Sequence, residues 1–232
     1  MGTAGNQTGQ TQNLNEQGQH QPLLARISII PPVADPDHAQ LFLNDILAQP
    51  EAGADVKALL EDKPDLARLL LGVIGNSPYL RDLMTANAAR LLSILTDSPD
   101  RRLADLLETA RKTIAEDEPG ITRALRLLKQ DLALTLGLAD IGGAIDLDQV
   151  THALAGFADA ALTASIRFCL NDLTRRGKFE PKDPDKPEVD SGLIVLAMGK
   201  HGANELNYSS DIDLIEIGRA QSELQSLTNL VC

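Results

Sequence analysis

The sequence predicts an α+β protein, because two regions with different apolar periodicities follow one another along its 232 residues. Residues 37–172 carry leucine and alanine at the three- to four-residue spacing of amphipathic helices. Residues 191–218 instead contain two short runs of branched apolar side chains, which is the pattern of β-strands. We therefore expect a mainly helical N-terminal region followed by the first strands of a sheet.

Apolar stripes and helix-start signals divide residues 37–172 into about seven helices. Three stripes stand out: Leu103, Leu106, Leu107, Ala110 and Ile114; Leu125, Leu128, Leu132 and Leu136; and Val150, Leu154, Phe157, Ala161, Ser165 and Phe168. Helix starts are expected where a proline suits the first turn, in two cases after a capping serine: Pro64, Ser77-Pro78, Ser98-Pro99 and Pro119. Helix ends are expected at glycines: Gly75, Gly137 and Gly142-Gly143.

Polar segments flank the helical region on both sides. Residues 1–36 are predicted to form a disordered or extended N-terminal arm, because residues 1–21 have almost no apolar side chains to offset the entropy of ordering. The apolar run Leu23–Ile30 within it is expected to lie on the domain in extended form. Residues 173–190 combine three prolines with many charges and are interpreted as a solvated linker.

Composition excludes several classes of protein. The chain has 21 Lys and Arg against 33 Asp and Glu, a formal net charge of -12, so we expect no nucleic-acid partner. No apolar run approaches the ~20 residues that span a bilayer, and no signal peptide is evident, so we expect no membrane partner. The two cysteines, Cys169 and Cys232, form no disulfide or metal framework, which predicts a cytoplasmic protein. Cys169 is interpreted as a small core residue.

The strand region carries the most specific pattern. Leu193–Met198 is a continuous apolar run that predicts a buried strand. Gly199–Gly202 is predicted to be a turn, and Ala203–Tyr208 one short helical turn. Asp211–Ile217 alternates polar and apolar residues, which predicts a second strand.

Asp211 and Asp213 are the candidate catalytic residues. Side chains two apart on a strand share a face, about 6.5–7 Å apart, so both carboxylates would point to one spot while Ile212 and Leu214 face the core. Carboxylates together with substrate phosphates are the ligands that Mg²⁺ prefers. The glycine turn at Gly199 would let backbone N–H groups approach a phosphate.

Three further side chains near this turn are candidates for phosphate or nucleotide binding: Lys200, Ser209 and Ser210. An isolated Asp-x-Asp pair is more often an exposed strand or turn than a catalytic site. The same spacing recurs at Asp35–Asp37, Asp146–Asp148 and Asp183–Asp185, in loop or helix-start contexts. Apolar neighbours and the preceding strand–turn unit favour catalysis at Asp211 and Asp213, because burying two like charges is costly unless a cation compensates.

The string GLIVLAMGKHGANELNYSSDIDLI, residues 192–215, resembles the nucleotidyltransferase superfamily that includes DNA polymerase β. It more closely resembles the bifunctional glutamine synthetase adenylyltransferase/adenylyl-removing enzymes, which carry two catalytic units in tandem. The segment ELNYSSDIDL, residues 205–214, is similar to the N-terminal, adenylyl-removing unit. Residues 125–130 and 150–162 are similar to the helical segments before that unit. The resemblance covers about residues 40–217 and implies a polymerase-β-like nucleotidyltransferase domain.

This resemblance implies a specific activity. The N-terminal unit removes AMP from an adenylylated tyrosine of glutamine synthetase by phosphorolysis and releases ADP, whereas the C-terminal unit adds AMP from ATP. Asp211 and Asp213 would be the Mg²⁺ ligands, and Gly199 and Ser210 would lie at the phosphate-binding turn. Glutamine synthetase, a PII signalling protein, adenine nucleotide and phosphate are the implied partners.

The sequence departs from the family in two places. His201 stands at a usually apolar position and Ala203 at a usual glycine. A contact of His201 with phosphate is one alternative; we favour the interpretation of His201 as a surface histidine. Residues 219–232 do not resemble the family and are interpreted as an aberrant tail, so the third catalytic carboxylate is missing and the chain is interpreted as truncated. Two alternatives remain: an inactive helical fragment that binds glutamine synthetase or PII, and a small-molecule nucleotidyltransferase, against which residues 205–214 argue.

Because this interpretation leaves only two of three catalytic carboxylates, we expect the 232-residue chain to have little or no phosphorolysis activity alone. The assay supplies adenylylated glutamine synthetase, phosphate and Mg²⁺ and measures ADP. Clear turnover that disappears in Asp211→Ala and Asp213→Ala would contradict this expectation.

Overall fold

A computed structural model describes residues 20–218 of the chain. Residues 1–19 of the predicted arm, the predicted tail 219–232 and Cys232 lie outside this range. The fold divides into two compact units. The first unit contains the residues up to Ala104 together with Asp131–Asp146, and the second contains Asp105–Gln130 and the residues from Leu147 onward.

Ten helices and two strands occur within residues 20–218. In chain order they are α1 (Leu23–Arg26), α2 (Pro36–Leu47), α3 (Gly53–Asp62), α4 (Pro64–Asn76), α5 (Pro78–Ala86), α6 (Ala88–Thr96), α7 (Pro99–Lys112), α8 (Glu118–Ile141), α9 (Leu147–Arg175), β1 (Ile194–Met198), α10 (Gly199–Gly202) and β2 (Asp213–Ile217). Helices α2 to α9 fill the predicted helical region, with one helix more than expected. This mainly helical chain with a small sheet agrees with the α+β prediction.

The first unit has an aliphatic core, in a chain whose aromatic residues make up only 3% of the sequence. Helix α2 packs against α3, α4 and α5, and α1 packs against α6. The largest fully buried side chains of this unit are Leu23, Ile46, Leu66, Leu69, Leu70, Met84, Leu91, Ile94, Leu95, Leu132 and Leu134. Burial of these side chains stabilises the unit by removing apolar surface from water.

Part of the segment expected to form an extended arm is helical and packs within the first unit. Leu23 is fully buried and its backbone N–H donates to the Asp97 carbonyl at 2.9 Å. Arg26 pairs with Asp100. Ser28 donates its backbone N–H to the Gly142 carbonyl at 2.8 Å. The apolar run therefore supplies core contacts and backbone hydrogen bonds to the unit.

The predicted helix starts are confirmed, because α4, α5 and α7 begin at prolines and α8 has Pro119 in its first turn. The Ser77 side chain accepts the backbone N–H of Leu80, as an N-cap does. The helix end predicted at Gly137 is wrong, since this residue lies inside α8. A Cβ there would lie 2.8 Å from a Leu80 methyl group, so the glycine allows close packing rather than ending the helix. The other two predicted helix ends are confirmed to within one residue: α4 ends at Asn76, directly after Gly75, and α8 ends at Ile141, directly before Gly142.

Two further details of the helical region differ from expectation. Ile114, assigned to the stripe of α7, lies after the helix end and is 80% exposed. Helix α9, with 29 residues, is long and apolar enough to cross a membrane by length and composition, which differs from the expectation that no apolar run approaches that length. This is weak evidence for a membrane span, because more than half of its most apolar stretch is buried inside the structure and the core helix of a soluble protein has the same properties. Cys169 is buried on this helix, as predicted.

The two strands form an antiparallel sheet in which Ile194 lies opposite Ile217 and Met198 opposite Asp213. Cross-strand partners share a face, and one face carries five apolar side chains that are between 43% and 55% exposed: Ile194, Leu196, Met198, Ile215 and Ile217. The prediction of a buried first strand is therefore wrong. Its side chains alternate between exposed and half-buried, because only one face of the sheet is covered.

The predicted linker is anchored to α9 by an ion pair. Glu188 accepts two hydrogen bonds from the Arg167 guanidinium, one of them 3.2 Å long between Nε and Oε2. Arg167 also donates to the Arg111 carbonyl at 3.1 Å. The hydrogen bond from Arg167 holds the pKa of the Glu188 carboxyl below its ordinary value, against the opposing effect of desolvation.

This ion pair gives the second unit a pH-dependent stability. A carboxyl with a lowered folded-state pKa stabilises the fold above its unfolded pKa of about 4.3, and this contribution is lost as pH falls through the lower folded value. We expect Glu188→Gln to reduce the free energy of unfolding by about 1–3 kcal/mol at pH 7 and by less at acidic pH. Urea unfolding followed by circular dichroism at both pH values measures this difference. Asp190→Asn, which removes an exposed pair with Lys182, is the control and should change stability little.

Candidate active site

The glycine turn after β1 is one turn of helix, α10, formed by Gly199–Gly202. The helical turn predicted over Ala203–Tyr208 is wrong, since the chain is already helical at Gly199 and leaves the helix at Ala203. Two glycines explain this placement. Gly199 has a φ of 55°, which favours glycine, and a Cβ at Gly202 would lie 2.4 Å from the Ala197 carbonyl oxygen.

Asp213 lies against this turn. It begins β2 and pairs with Met198, the residue that precedes the turn. A Cβ at Gly199 would lie 3.2 Å from Asp213 Oδ2, so the carboxylate approaches the glycine backbone closely. The strand pairing therefore sets a carboxylate beside a turn with no side chain at its first residue.

Asp211 occupies a different backbone context from the one expected. The second strand starts at Asp213 rather than at Asp211, so Asp211 lies in the segment before it. Both aspartates are exposed, whereas Ile212 between them is half-buried. Ile212 packs against a small cluster formed by Ala155 and Ala158 of α9 with Leu206. The two carboxylates thus flank an apolar anchor and face solvent.

Ser209 and Ser210 are organised by Asn207, a residue that sequence reasoning missed. The Asn207 side-chain oxygen accepts the Ser210 hydroxyl at 2.7 Å and the Ser209 backbone N–H at 3.2 Å. An asparagine that hydrogen-bonds the backbone two residues on is a common turn former, so its position before two serines was the available signal. Ser209 is exposed and Ser210 half-buried.

Lys200 is exposed and lies within α10. Its carbonyl accepts the backbone N–H of Glu205 at 2.8 Å, which closes the loop after the helical turn. The backbone that carries the Lys200 ammonium group is therefore fixed by hydrogen bonds within the loop, and Lys200 directly follows Gly199. An ammonium group can bind a phosphate, but as a point charge on a flexible side chain it does not fix the orientation of the phosphate.

His201 is not the surface histidine that the sequence suggested. It is only 3% exposed, and its Nε2 lies 2.9 Å from Asp159 Oδ1 on α9. Its Nδ1 is buried and has no hydrogen-bond partner in the structure. The interpretation was wrong because the turn packs against α9, which the local sequence does not reveal.

One face of α9 supports both halves of the candidate site. Ala155, Ala158 and Asp159 are three and four positions apart and therefore share a helix face. Leu206 packs on the two alanines from the loop after the turn, and Ile212 does so from between the aspartates. His201 contacts Asp159 from the turn itself. This helix thus fixes the turn and the carboxylates relative to one another.

The donor set at this site fits a hard cation. Asp211 and Asp213 supply carboxylate oxygens and are open to solvent. Within residues 20–218, no group of three or more His, Cys, Asp and Glu side chains is arranged to hold a metal ion. Mg²⁺ usually keeps several waters and takes one or two carboxylates plus substrate phosphates, which two exposed aspartates beside a glycine turn can accommodate.

Comparison with known proteins identifies the family. The family model of glutamate-ammonia ligase adenylyltransferase matches residues 67–229, which is more than half of the chain. The chain belongs to this family. Its matched range includes the strand–turn–strand segment with Gly199, Asp211 and Asp213, and it extends beyond Ile217, where the sequence analysis ended the resemblance.

Relatives that all share one name occur in several bacteria. A bifunctional glutamine synthetase adenylyltransferase/adenylyl-removing enzyme of Xanthobacter autotrophicus is 43% identical over 190 residues, which are 81% of this chain and 19% of the relative. The corresponding enzyme of Rhodopseudomonas palustris is 48% identical over 72% of this chain and 17% of its own length. That of a Bradyrhizobium species is 44% identical over 87% of this chain and 21% of its own length. The chain thus spans about a fifth of the curated relatives it matches.

The contact between Gly199 and Asp213 can be tested by substitution. Gly199→Ala introduces a Cβ at a positive φ and within 3.2 Å of the carboxylate, so we expect the Asp213 side chain to move. Gly177→Ala is the matched control, because it has a φ of 69° and nothing within 4 Å of its Cβ. In both variants, backbone strain should reduce the free energy of unfolding by about 1–2 kcal/mol. Only Gly199→Ala should shift the carboxyl NMR resonance of Asp213; equal spectra would contradict the contact.

Proposed function

We propose that residues 191–218 form the beginning of a polymerase-β-like nucleotidyltransferase unit that removes AMP from adenylylated glutamine synthetase. The observation that carries the proposal is the carboxylate of Asp213 against the Gly199 turn, in a chain that belongs to the adenylyltransferase family. The string at residues 205–214, which resembles the adenylyl-removing unit, supports removal rather than addition of AMP.

The reaction is a phosphorolysis. An oxygen of inorganic phosphate attacks the phosphorus of the AMP–tyrosine phosphodiester, and the bond between phosphorus and the tyrosine oxygen breaks. The tyrosine oxygen takes up a proton and the phosphate becomes the second phosphoryl group of ADP. Such a transfer needs positioning and neutralisation of charge rather than a covalent enzyme intermediate.

Different candidate residues would supply the positioning of the phosphate and the neutralisation of its charge. Asp211 and Asp213 are the proposed Mg²⁺ ligands, and the cation supplies charge neutralisation at the phosphate oxygens when it is bound. The Gly199 backbone admits a phosphate closely because it has no side chain. The Lys200 ammonium and the Ser209 hydroxyl then donate to phosphate oxygens from the two ends of the loop. The Ser210 hydroxyl donates to Asn207, so Ser210 contributes by holding this part of the phosphate-binding turn in place.

The proposal includes the partners and location that the resemblance implies. Glutamine synthetase is the protein substrate, phosphate and ADP are the small-molecule substrate and product, and a PII signalling protein is the regulator. Glutamine synthetase and the PII protein both belong to nitrogen metabolism inside the bacterial cell, so the proposed location is the cytoplasm. Relatives named bifunctional glutamine synthetase adenylyltransferase/adenylyl-removing enzyme support this assignment.

The test measures metal-dependent nucleotide binding by the chain itself. Mn²⁺ replaces Mg²⁺ as a paramagnetic probe, and electron paramagnetic resonance reports its binding with and without ADP. We expect ADP to enhance Mn²⁺ binding, and Asp211→Asn or Asp213→Asn to weaken it about tenfold or more. Asp185→Asn, in another Asp-x-Asp pair, is the control and should bind as the unaltered chain does.

Two outcomes count against the proposal. Equal Mn²⁺ binding in the unaltered chain and in both site variants would remove the basis for a nucleotide site at Asp211 and Asp213. Metal-dependent binding of ATP without binding of ADP would keep the nucleotide site but overturn the direction of the reaction, because ADP is the product of AMP removal.

A further inference from the structure

We propose that His201 and Asp159 are positioning residues that hold the phosphate-binding turn of the candidate active site against α9. The starting observation is that His201, in the middle of α10, is almost fully buried and contacts a carboxylate on another element. The bearing of this pair on nucleotide binding rests on the proposed function, whereas its role in holding the turn does not.

The direction of the hydrogen bond between His201 and Asp159 follows from the chemistry of the two side chains. An ionised carboxylate only accepts hydrogen bonds, so His201 Nε2 carries the proton and donates to Asp159 Oδ1 over 2.9 Å. The other ring nitrogen, Nδ1, is buried without a partner. The contact with Asp159 therefore satisfies the one ring nitrogen that has a partner in the structure. Losing it would leave both ring nitrogens unsatisfied, which is costly in the interior.

The contact also has a defined place in the backbone. His201 lies between Gly199, whose backbone approaches Asp213, and Gly202, which packs on the Ala197 carbonyl. The backbone N–H groups that follow the helical turn are hydrogen-bonded back into it, from Ala203 to Gly199 and from Asn204 to His201. A shift of the His201 ring would therefore move the whole turn.

The apolar contacts of this loop restrain that motion less than the hydrogen bond does. Leu206 and Ile212 pack on the Ala155 and Ala158 side of α9 and fix the far end of the loop and the segment between the aspartates. Apolar packing is not directional, so it sets distance more than orientation. The hydrogen bond to Asp159 is directional and acts on the turn itself, which makes it the contact that orients the turn toward Asp213.

The test separates the hydrogen bond from the packing. Asp159→Ala removes the acceptor from an exposed position on a helix, where alanine is well tolerated, so folding is expected to be retained. Asp159→Asn keeps a carbonyl oxygen that accepts from Nε2 and serves as the conservative rescue. Asp172→Ala is the control: it removes a carboxylate near the C-terminal end of the same helix, one that pairs with Arg175 and Arg176 instead of with the turn.

Amide hydrogen exchange at Ala203, Asn204 and Glu205 is the first measurement, because these N–H groups are bonded into the turn. We expect about fivefold to tenfold faster exchange in Asp159→Ala, and near-unaltered exchange in Asp159→Asn and Asp172→Ala. Unchanged exchange in Asp159→Ala, or equal acceleration in Asp159→Asn, would overturn the inference that this hydrogen bond holds the turn.

Mn²⁺ binding in the presence of ADP is the second measurement. We expect Asp159→Ala to weaken it about tenfold and Asp159→Asn to leave it near the level of the unaltered chain. Faster exchange with unweakened binding would overturn the role of the pair in the site. Failure of the unaltered chain to bind Mn²⁺ and ADP would instead count against the proposed function, while the exchange measurement still decides whether the pair holds the turn.

Discussion

The candidate site depends on one packing interaction, the contact of a strand–turn–strand segment with a single face of α9. Leu206 and Ile212 lie on Ala155 and Ala158, which are small enough to let the loop backbone approach the helix. Without this contact, the segment would be a two-stranded hairpin, which is marginally stable in water. The helix therefore provides the rigid support that a loop-borne site needs.

The same sheet that places Asp213 also exposes an apolar surface. Ile194, Leu196 and Met198 share a face with Ile215 and Ile217, and Asp213 lies at the end of this face beside Gly199. A contiguous exposed apolar patch is unusual on a soluble protein and raises the tendency to associate. The candidate site and the exposed apolar surface thus share one small sheet, since the register that pairs Met198 with Asp213 also aligns the apolar residues.

Two errors in the sequence analysis have a common physical origin in packing between distant segments. Gly137 does not end a helix because Leu80 needs the space of its missing side chain. His201 is buried because its turn meets Asp159, which lies 42 positions earlier in the chain. Asn207 was overlooked although its turn-forming pattern is local and could have been recognised.

Sequence alone determined the class of the fold, the helix starts at prolines and the family. It also determined the choice of Asp211, Asp213 and the Gly199 turn as the candidate site. These features follow from local periodicity, backbone preference and a long specific string of residues. Tertiary structure alone decided that Gly199 lies beside Asp213, that His201 contacts Asp159 and that one sheet face is exposed. Each of these depends on which surfaces meet in three dimensions, and residues far apart in sequence do not encode that meeting in any local pattern.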